Sequence, residues 1–451
     1  MSSGEITIFA LSSGRPPAAI AVVRISGPRA GEAIKRLVGR LPEPRRATLA
    51  KLRNGGGEVL DEALVLWFPA PRSETGEDMA ELQLHGGRAV IAGVLSELGS
   101  IEGLRPAEAG EFARRAFLNG RLDLTAVEGL SDLIFADTEA QRRQAYRQLK
   151  GTLASKVDHW RDRLIEAMAL VEAGIDFSDE ADVPEQVLAP ALAIARRLRG
   201  EIASALADDR RGERLRDGLV VAIAGPPNAG KSSLLNRVAR RDAAIVSPYA
   251  GTTRDVIEVH LDLEGYPVTL LDTAGIRESL DPIELEGVRR ALDRASAADL
   301  VLWVVDSRAS DQDTPSLEGG EGPRWLVRNK IDLLSTGALG ATAAIAGSMR
   351  DFAVSALNGS GLDGLLTALT EFGRSHFDQA EPALVTRQRH RTALAEAVQA
   401  LDRANAEGTA GREDVIAEEL RLAARALGRL TGRVDVEDVL DVIFRDFCIG
   451  K

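Results

Sequence analysis

The most informative segment of this chain is Gly225-Pro226-Pro227-Asn228-Ala229-Gly230-Lys231-Ser232. It fits the pattern G-x-x-x-x-G-K-[ST], in which glycines allow backbone N–H groups to surround phosphate oxygens. An apolar run over residues 219–224 precedes the segment, and a helical pattern over 233–239 follows it. Because the motif requires this order of strand, loop and helix, the sequence predicts a phosphate-binding loop at the N-terminus of a helix.

Two side chains of this loop have predicted roles in nucleotide chemistry. The Lys231 ammonium is expected to reach the β- and γ-phosphates, and the Ser232 hydroxyl is expected to hold Mg²⁺. The segment Asp272-Thr273-Ala274-Gly275 follows the apolar run 268–271. Asp272 can act on Mg²⁺ through a water molecule, and the Gly275 N–H can donate to a γ-phosphate.

A third motif, Asn329-Lys330-Ile331-Asp332, follows the apolar run 325–327. The Asp332 carboxylate can accept two hydrogen bonds from the N1–H and exocyclic amine of guanine, and adenine lacks that amine. The sequence therefore predicts a preference for GTP over ATP. Ser355-Ala356, after the run 352–354, could place a backbone N–H on the guanine carbonyl oxygen. The ordered set of motifs resembles the Ras-like, translation-factor-related GTPases.

Between the first two motifs lies Gly251-Thr252-Thr253-Arg254-Asp255. A threonine here can sense the γ-phosphate, and the resemblance to other GTPases with this segment favours Thr253 as a second Mg²⁺ ligand. The predicted GTP site comprises Asn228, Ala229, Gly230, Lys231, Ser232, Ser233, Ser247, Pro248, Tyr249, Ala250, Gly251, Thr252, Thr253, Asp272, Thr273, Ala274, Gly275, Asn329, Lys330, Asp332, Ser355, Ala356 and Leu357.

The residue after the second motif is Ile276, where signalling GTPases carry a glutamine that orients the attacking water. An apolar side chain cannot do this, so hydrolysis needs another group to position water and another charge to stabilise the transition state. The residue pattern alone leaves several candidates open, namely Arg254, Arg277, Glu278, Glu284 and Glu286.

Composition indicates a multi-domain protein of ordinary solubility. The 451 residues include 56 Lys and Arg against 68 Asp and Glu, so the net charge of −12 gives no global excess of basic residues for nucleic acid. A single cysteine, Cys448, excludes an intramolecular disulfide. The N-terminus lacks the features of a signal peptide, and no apolar run approaches the length of a membrane span. A cytoplasmic location is therefore expected, without membrane association.

Changes along the chain in the pattern of apolar runs and helical segments predict three domains. Residues 1–118 look like an α+β domain, and residues 119–214 and 376–451 look helical. Residues 215–375 alternate apolar runs with helical segments, which predicts a doubly wound sheet inserted between the helical segments. A basic stretch within the helical part, Arg142, Arg143, Arg147, Lys150 and Lys156, is interpreted either as a solvated helix face or as a surface for RNA.

Motifs outside the nucleotide site point to a particular family. They are Thr75-Gly76-Glu77-Asp78, His85-Gly86-Gly87, the segment 116–124 (AFLNGRLDL) and the tail Phe447-Cys448-Ile449-Gly450-Lys451. With the inserted GTPase unit, they make the chain similar to the tRNA modification GTPases of the MnmE/TrmE family over essentially its full length. Because the motifs occur in all three regions, a shared GTPase domain alone does not explain the resemblance.

The resemblance implies a homodimer formed through N-terminal domains that are similar to folate-binding aminomethyltransferases. It implies a one-carbon donor, a formyl- or methylene-tetrahydrofolate, and a partner subunit that uses FAD and NADH. Together they would add an aminomethyl or carboxymethylaminomethyl group to carbon-5 of the wobble uridine of certain tRNAs. It also implies that K⁺ brings the GTPase domains together before hydrolysis.

Site roles follow from the same resemblance. Asn228 would ligate K⁺, with Ser247, Tyr249 and Thr252 of the following loop, and the cation would supply a charge that an arginine supplies elsewhere. Glu284 would position the attacking water, so Glu284, Lys231 and Asn228 form the expected catalytic set. The folate would contact Arg24, Glu81, Arg121 and Lys451. Some members carry lysine at the position of Arg121, which retains the positive charge but not the forked geometry.

Two other functions remain open on sequence grounds. The first is a ribosome-assembly GTPase that acts as an RNA-binding switch, although no G-x-x-G loop between strands is evident downstream of the GTPase unit. The second is a folate-binding or one-carbon transfer protein that GTP merely regulates.

Overall fold

The computed structural model describes residues 6–176, 183–207, 210–241, 243–245, 258–272, 298–308, 323–334, 350–377, 383–408 and 412–434, with 440, 443–444, 447 and 449–450 near the C-terminus. Its internal contacts divide the chain into two compact units. The first unit comprises Met1–Ser131, Arg147–Glu201 and Ala393–Lys451, and the second comprises Asp132–Tyr146 and Ile202–Thr392. The three predicted domains, 1–118, 119–214 with 376–451, and 215–375, remain a prediction about finer boundaries.

The first unit contains a six-stranded mixed sheet. Its strands are β1 (Thr7–Leu11), β2 (Ala18–Ser26), β3 (Thr48–Arg53), β4 (Val59–Phe68), β5 (Met79–Gly86) and β6 (Leu104–Pro106), in the order β3-β4-β5-β2-β1-β6. Residues alternate between a buried face and a more exposed face, because side chains of a strand point to opposite sides. Val23, Val65 and Leu82 thus lie in the core, while Arg24 and Glu81 lie on the other face.

The second sheet, in the second unit, also has six strands. They are β7 (Leu219–Ala224), β8 (Glu258–Leu263), β9 (Tyr266–Asp272), β10 (Leu300–Asp306), β11 (Arg324–Asn329) and β12 (Asp351–Ala353), in the order β12-β11-β10-β7-β9-β8. Five strands run parallel and β8 pairs antiparallel with β9 at the edge. The predicted parallel sheet is therefore confirmed, and the strand order reverses beside β7. In such sheets ligands bind at the carboxyl ends of strands next to the reversal.

The helices in the described residues are α1 (Ala30–Val38), α2 (Arg88–Gly99), α3 (Glu111–Leu118), α4 (Leu124–Ile134), α5 (Glu139–Leu149), α6 (Thr152–Asp176), α7 (Val183–Leu206), α8 (Arg211–Asp217), α9 (Lys231–Ala239), α10 (Leu362–Phe377), α11 (Gln388–Glu407) and α12 (Glu413–Thr431). Helix α6 packs against α12, and Trp160 and Leu427 are fully buried. Within the described ranges, none of these helices combines the length and apolar character that crossing a bilayer demands.

An ion-pair network anchors α3 in the first unit. The Arg105 guanidinium donates to both Glu111 carboxylate oxygens, at 2.7 and 2.8 Å, and Arg115 Nη2 donates to Glu111 Oε1 at 3.0 Å. Burial acts to raise the pKa of Glu111, but the hydrogen bonds from Arg105, the Glu108 amide and Arg115 outweigh it, so the pKa lies below its ordinary value. The ionised carboxylate therefore stabilises the folded unit.

Substitution of Glu111 should reveal this contribution. Glu111→Gln is expected to lower the free energy of unfolding at pH 7 by about 1–3 kcal/mol, because two arginines lose a charged partner. The depressed pKa means that the contribution is present above the ordinary glutamate pKa of 4.5 and is lost as the pH falls through the folded value. Urea unfolding of wild type and variant should converge below that pH. Glu32→Gln, in an exposed 3.8 Å pair with Arg29, is the control, and an equal effect there would contradict the expectation.

Candidate functional site: a nucleotide-binding edge

The predicted phosphate-binding loop lies between β7 and α9 and needs both of its glycines. Gly225 has φ +143°, and a Cβ there would lie 2.1 Å from the Val304 carbonyl oxygen of β10. Gly230 has φ +93°, and a Cβ there would lie 2.3 Å from Asn329 Nδ2. These conformations are costly for residues with a side chain. The loop can therefore pack closely on neighbouring elements and leave its N–H groups for phosphate at the start of α9.

Lys231 lies at the first position of α9 and is buried. Its ammonium donates to the backbone oxygens of Gly225 at 2.8 Å and Pro226 at 2.9 Å. The cation is thus held inside the curve of the loop, where phosphate oxygens could replace the two carbonyl partners. This placement agrees with the predicted role of Lys231 at the β- and γ-phosphates.

Ser232 and Asp272 meet at the carboxyl end of the sheet. The Ser232 hydroxyl donates to Asp272 Oδ2 at 2.6 Å, and Asp272, the last residue of β9, is 1% exposed. Hydroxyl and carboxylate oxygens are the donors that Mg²⁺ prefers. The two residues fit the predicted arrangement, in which Ser232 holds the ion and Asp272 acts through water.

A cavity of about 530 Å³ lies beside the loop, where a nucleotide base would fit. Of the predicted residues, its lining includes Gly230, Ser233, Asn329, Lys330, Asp332, Ala356 and Leu357. The structure thus brings the loop, the Asn329-Lys330-Ile331-Asp332 motif and the Ser355-Ala356 segment to one place. Asp332 accepts a hydrogen bond from Ser355 Oγ at 2.5 Å, which fixes its carboxylate at the cavity wall.

Asn329 ties the base-binding segments to the phosphate-binding loop. It is 1% exposed, and its Nδ2 donates to the Ala229 carbonyl oxygen at 2.9 Å. Its Oδ1 accepts from the Lys330 and Ala356 backbone N–H groups at 2.8 and 3.0 Å. The Ala356 N–H, a candidate donor to the guanine carbonyl, is therefore engaged within the protein in this structure.

Several residues of this site were not predicted from the sequence. Asn236, Arg237, Arg240 and Leu333 also line the cavity. The Arg237 Nε donates to the Ala356 carbonyl oxygen at 2.9 Å, which joins α9 to the base-binding segment. Asn236 and Arg237 lie in α9 beyond the loop motif, and Arg240 follows the end of that helix. Leu333 directly follows Asp332, so neither sequence motif specifies these four residues.

Asp306 is the other residue that sequence analysis missed. It ends β10, and its Oδ2 accepts from the Lys330 ammonium at 2.9 Å. Hydrogen bonds from Arg308, the strongest influence, and from Lys330 hold the pKa of Asp306 far below its usual range. The signal was available, because a polar residue at the carboxyl end of a parallel strand belongs to the binding edge of such a sheet.

The remaining predicted residues lie outside the described part of the chain. They are Ser247, Pro248, Tyr249, Ala250, Gly251, Thr252, Thr253, Thr273, Ala274, Gly275, Glu284 and Lys451. Their roles stay predictions.

Arg24 and Glu81, predicted at a folate site, are direct cross-strand partners of β2 and β5. Arg24 Nε donates to Glu81 Oε1 at 2.9 Å, and Arg24 Nη1 donates to Glu74 Oε1 at 3.2 Å. Both paired side chains are about one-fifth exposed, at 20% for Arg24 and 19% for Glu81. A cation and a carboxylate thus lie side by side at an accessible surface of the sheet.

The third predicted folate residue, Arg121, lies by the loop that carries Glu74. A Cβ on Gly76 would lie 3.2 Å from Arg121 Cγ, and Asn119 Nδ2 donates to the Thr75 carbonyl oxygen at 2.8 Å. Since Glu74 of the same loop contacts Arg24, the structure brings three of the four predicted residues to one region. The backbone of Gly450, just before Lys451, packs against the Leu11 carbonyl at the end of β1.

Comparisons with known proteins show which family the chain belongs to. Residues 7–121 match the model of the GTP-binding protein TrmE N-terminus, and residues 124–448 match that of the MnmE helical domain. Curated relatives named tRNA modification GTPase MnmE include proteins of Bradyrhizobium sp. strain BTAi1, 59% identical, and strain ORS 278, 60% identical. In both, the match covers 100% of this chain and 100% of the relative. A solved G domain of the T. maritima FeoB iron transporter is 26% identical over 34% of this chain and 98% of that chain, with a TM-score of 0.25. On the two domain matches and the full-length identities, this chain belongs to the MnmE (TrmE) family of tRNA modification GTPases.

Proposed function

We propose that this GTPase hydrolyses GTP with Mg²⁺ and K⁺ bound, and that hydrolysis serves the modification of carbon-5 of the wobble uridine in certain tRNAs. GTP binding and hydrolysis are supported by one observation. Lys231, Ser232, Asp272 and Asp332 all lie at the carboxyl ends of the parallel strands, which we call the nucleotide edge. Phosphate, metal and guanine would then be held by separate groups of residues on a single rigid scaffold.

The K⁺ proposal rests on Asn228. Its backbone is left-handed, with φ +61°, and the residue is exposed on the phosphate-binding loop. An amide oxygen is a suitable hard ligand for an alkali cation, and Ser247, Tyr249 and Thr252 are proposed to complete the site. When bound, K⁺ would supply positive charge for the transition state. Ile276 cannot orient water, so Glu284 is proposed to do so, with Lys231 holding the phosphates.

The Mg²⁺ site is proposed at Ser232 and Thr253. The 2.6 Å contact between Ser232 and Asp272 supports the first ligand, because it places a buried carboxylate where it can reach a metal-bound water. With Mg²⁺ bound, Ser232 would supply an oxygen ligand and Asp272 would accept a hydrogen bond from a metal-bound water.

A homodimer is proposed through the outer face of the first sheet. Leu49 and Leu64 are cross-strand partners and are 62% and 40% exposed, and Ile20 on β2 is 60% exposed. Burying such side chains against a second copy would stabilise an assembly, at about 25 cal/mol for each Å² of apolar surface removed from water. Arg24 and Glu81 belong to the same face.

The folate proposal places a formyl- or methylene-tetrahydrofolate beside that face. The Arg24 guanidinium can pair with a glutamate carboxylate of the ligand, and Glu81 can accept hydrogen bonds from a pterin. Arg121 and Lys451 are proposed as further cations. The ligand would supply the one-carbon unit, and the accessible Arg24–Glu81 pair fits its mixture of carboxylates and ring donors.

A flavoprotein partner that uses FAD and NADH is proposed to complete the modification, and a cytoplasmic location is proposed with it. The full-length match to relatives named for tRNA modification supports this function over a ribosome-assembly switch. The switch remains the second candidate, because the nucleotide edge alone would serve either function.

The test of the cation proposal compares GTP hydrolysis in K⁺ with hydrolysis in Na⁺ at equal ionic strength. Wild-type protein should be stimulated by K⁺ at least about tenfold, because the transition state needs a further positive charge. Asn228→Ala should remove most of this stimulation while it keeps GTP affinity within a few fold.

The control for this test is Asp299→Asn, which alters a carboxylate at the opposite end of β10 from the nucleotide edge. It should respond to K⁺ as wild type does. Equal, slow rates in both salts for wild type would refute the cation proposal and favour a switch that depends on a partner for catalysis.

A further inference from the structure

Two consecutive side chains, Asn329 and Lys330, form hydrogen bonds to the backbone of the phosphate-binding loop. Both belong to the Asn329-Lys330-Ile331-Asp332 segment, here called the base-binding motif. Asn329 Nδ2 donates to the Ala229 carbonyl oxygen at 2.9 Å, and the Lys330 ammonium donates to the Asn228 carbonyl oxygen at 2.6 Å. Two successive peptide groups of the loop are therefore fixed from the neighbouring strand end. Since Asn228 has φ +61°, an external hydrogen bond at its carbonyl helps to hold a conformation that is sparsely populated.

Asp306 holds the ammonium that makes the second of these contacts. It stands opposite Asn329 in the register of β10 and β11, so its side chain lies level with the base-binding motif. Asp306 Oδ2 accepts from Lys330 Nζ at 2.9 Å, and Arg308 Nη2 also donates to Oδ2, at 2.8 Å. The Asp306 and Lys330 side chains are 21% and 28% exposed, which leaves their interaction only partly screened by water.

We propose that Asp306 is a positioning residue for the bound nucleotide. It holds the Lys330 ammonium over the Asn228 carbonyl, and it thereby keeps the phosphate-binding loop closed around the phosphates. The residue acts through Lys330 and the loop backbone and needs no contact of its own with GTP or GDP. This inference uses the GTP-binding property of the family and is independent of K⁺, folate and tRNA.

Two features favour this role over a purely structural ion pair. Lys330 has φ +66°, so its side chain starts from an unusual backbone geometry that aims it across the loop. The ammonium also bridges two partners on different elements, Asp306 on β10 and Asn228 in the loop. Without the carboxylate, one long side chain would have to find the loop carbonyl against its own rotamer entropy.

The experiment measures release of a fluorescent N-methylanthraniloyl-GDP from the full-length protein after addition of excess GDP. Asp306→Asn should speed release about three- to tenfold, as expected for loss of a partly buried ion pair that supports the bound state. Asp351→Asn is the matched control. It breaks a 3.0 Å pair with Arg328 of similar exposure at the start of β12, and it should leave the rate within about twofold of wild type.

A double-mutant cycle separates positioning from general loosening. Lys330→Met should itself speed release, and Asp306→Asn should then add little, because its partner is already absent. Asp306→Glu, which keeps a carboxylate, should recover part of the slow release. If circular dichroism shows that Asp306→Asn is unfolded, the release rates of Asp306→Glu and Lys330→Met still test the proposal. Asp306→Glu keeps the carboxylate, and Lys330→Met removes the ammonium that the carboxylate holds.

Unchanged release in Asp306→Asn would overturn the proposal. So would an undiminished effect of Asp306→Asn in the Lys330→Met background. Failure of the cation proposal leaves these measurements unaffected, because they contain neither a hydrolysis step nor a requirement for K⁺.

Discussion

Gly230→Ala should weaken GTP binding by roughly 100-fold or more, which corresponds to about 3 kcal/mol. The left-handed backbone at φ +93° would cost an alanine about 1–2 kcal/mol. The new methyl group would also lie 2.3 Å from Asn329 Nδ2, so the amide would have to leave the Ala229 carbonyl. Displacing that buried hydrogen bond adds about 1–3 kcal/mol. Titration with a fluorescent GTP analogue would measure the loss.

The matched control is Gly364→Ala in α10 of the same unit. Nothing lies within 4 Å of a Cβ there, so the substitution should leave GTP affinity unchanged and stabilise the helix slightly. Near-wild-type affinity in Gly230→Ala would show that the loop can move away from Asn329 without cost. The close approach in the structure would then have no importance for binding.

The nucleotide edge was predictable because its motifs lie directly after buried strands. Runs 219–224, 268–271 and 325–327 all fall within observed parallel strands, which are covered on both faces and are therefore continuously apolar. Strand β8 was missed for the opposite reason. Its residues, Glu258–Leu263, alternate between half-buried and buried, as expected for an edge strand with one accessible face.

The first unit was harder to predict. Helix α1, Ala30–Val38, is readable from the sequence, because its apolar residues follow a helical period and Gly39 ends it. Strands β3 and β5 went unrecognised, since Lys51, Glu81 and Gln83 interrupt their apolar pattern. The same interruptions give the outer face its mixture of charged and apolar groups, and that mixture supports the folate and dimer proposals.

Side-chain partnerships lay beyond the sequence altogether. The motif Asn329-Lys330-Ile331-Asp332 predicts guanine recognition, but the contacts of Asn329 and Lys330 with the loop carbonyls depend on a register between β10 and β11. That register is set by packing across the whole sheet. Only this register places Asp306 opposite Asn329 and within reach of Lys330. Asp306 therefore belongs to the nucleotide site although no sequence motif includes it.

Asp332→Asn should change the nucleotide that the site accepts. The carboxylate can accept two charge-assisted hydrogen bonds from guanine, each worth about 1.5–3 kcal/mol, so their loss should weaken GTP binding by roughly two to four orders of magnitude. An asparagine amide would instead donate to the carbon-2 oxygen of xanthine. The variant should therefore bind xanthosine triphosphate in preference to GTP, measured by competition against a fluorescent nucleotide.

Ser355→Ala is the control that distinguishes a loss of guanine recognition by Asp332 from general damage to the cavity wall. It removes the 2.5 Å hydrogen bond that fixes Asp332 but keeps the carboxylate. We expect a loss of about tenfold in GTP affinity without any gain for xanthosine triphosphate, because a net hydrogen bond to a charged group is worth about 1.5–3 kcal/mol and part of it is recovered from water. Asp332→Asn protein that still preferred GTP would show that guanine is recognised elsewhere in the cavity. Arg237, Arg240 and Leu357 would then be the residues to substitute, since they line the same cavity.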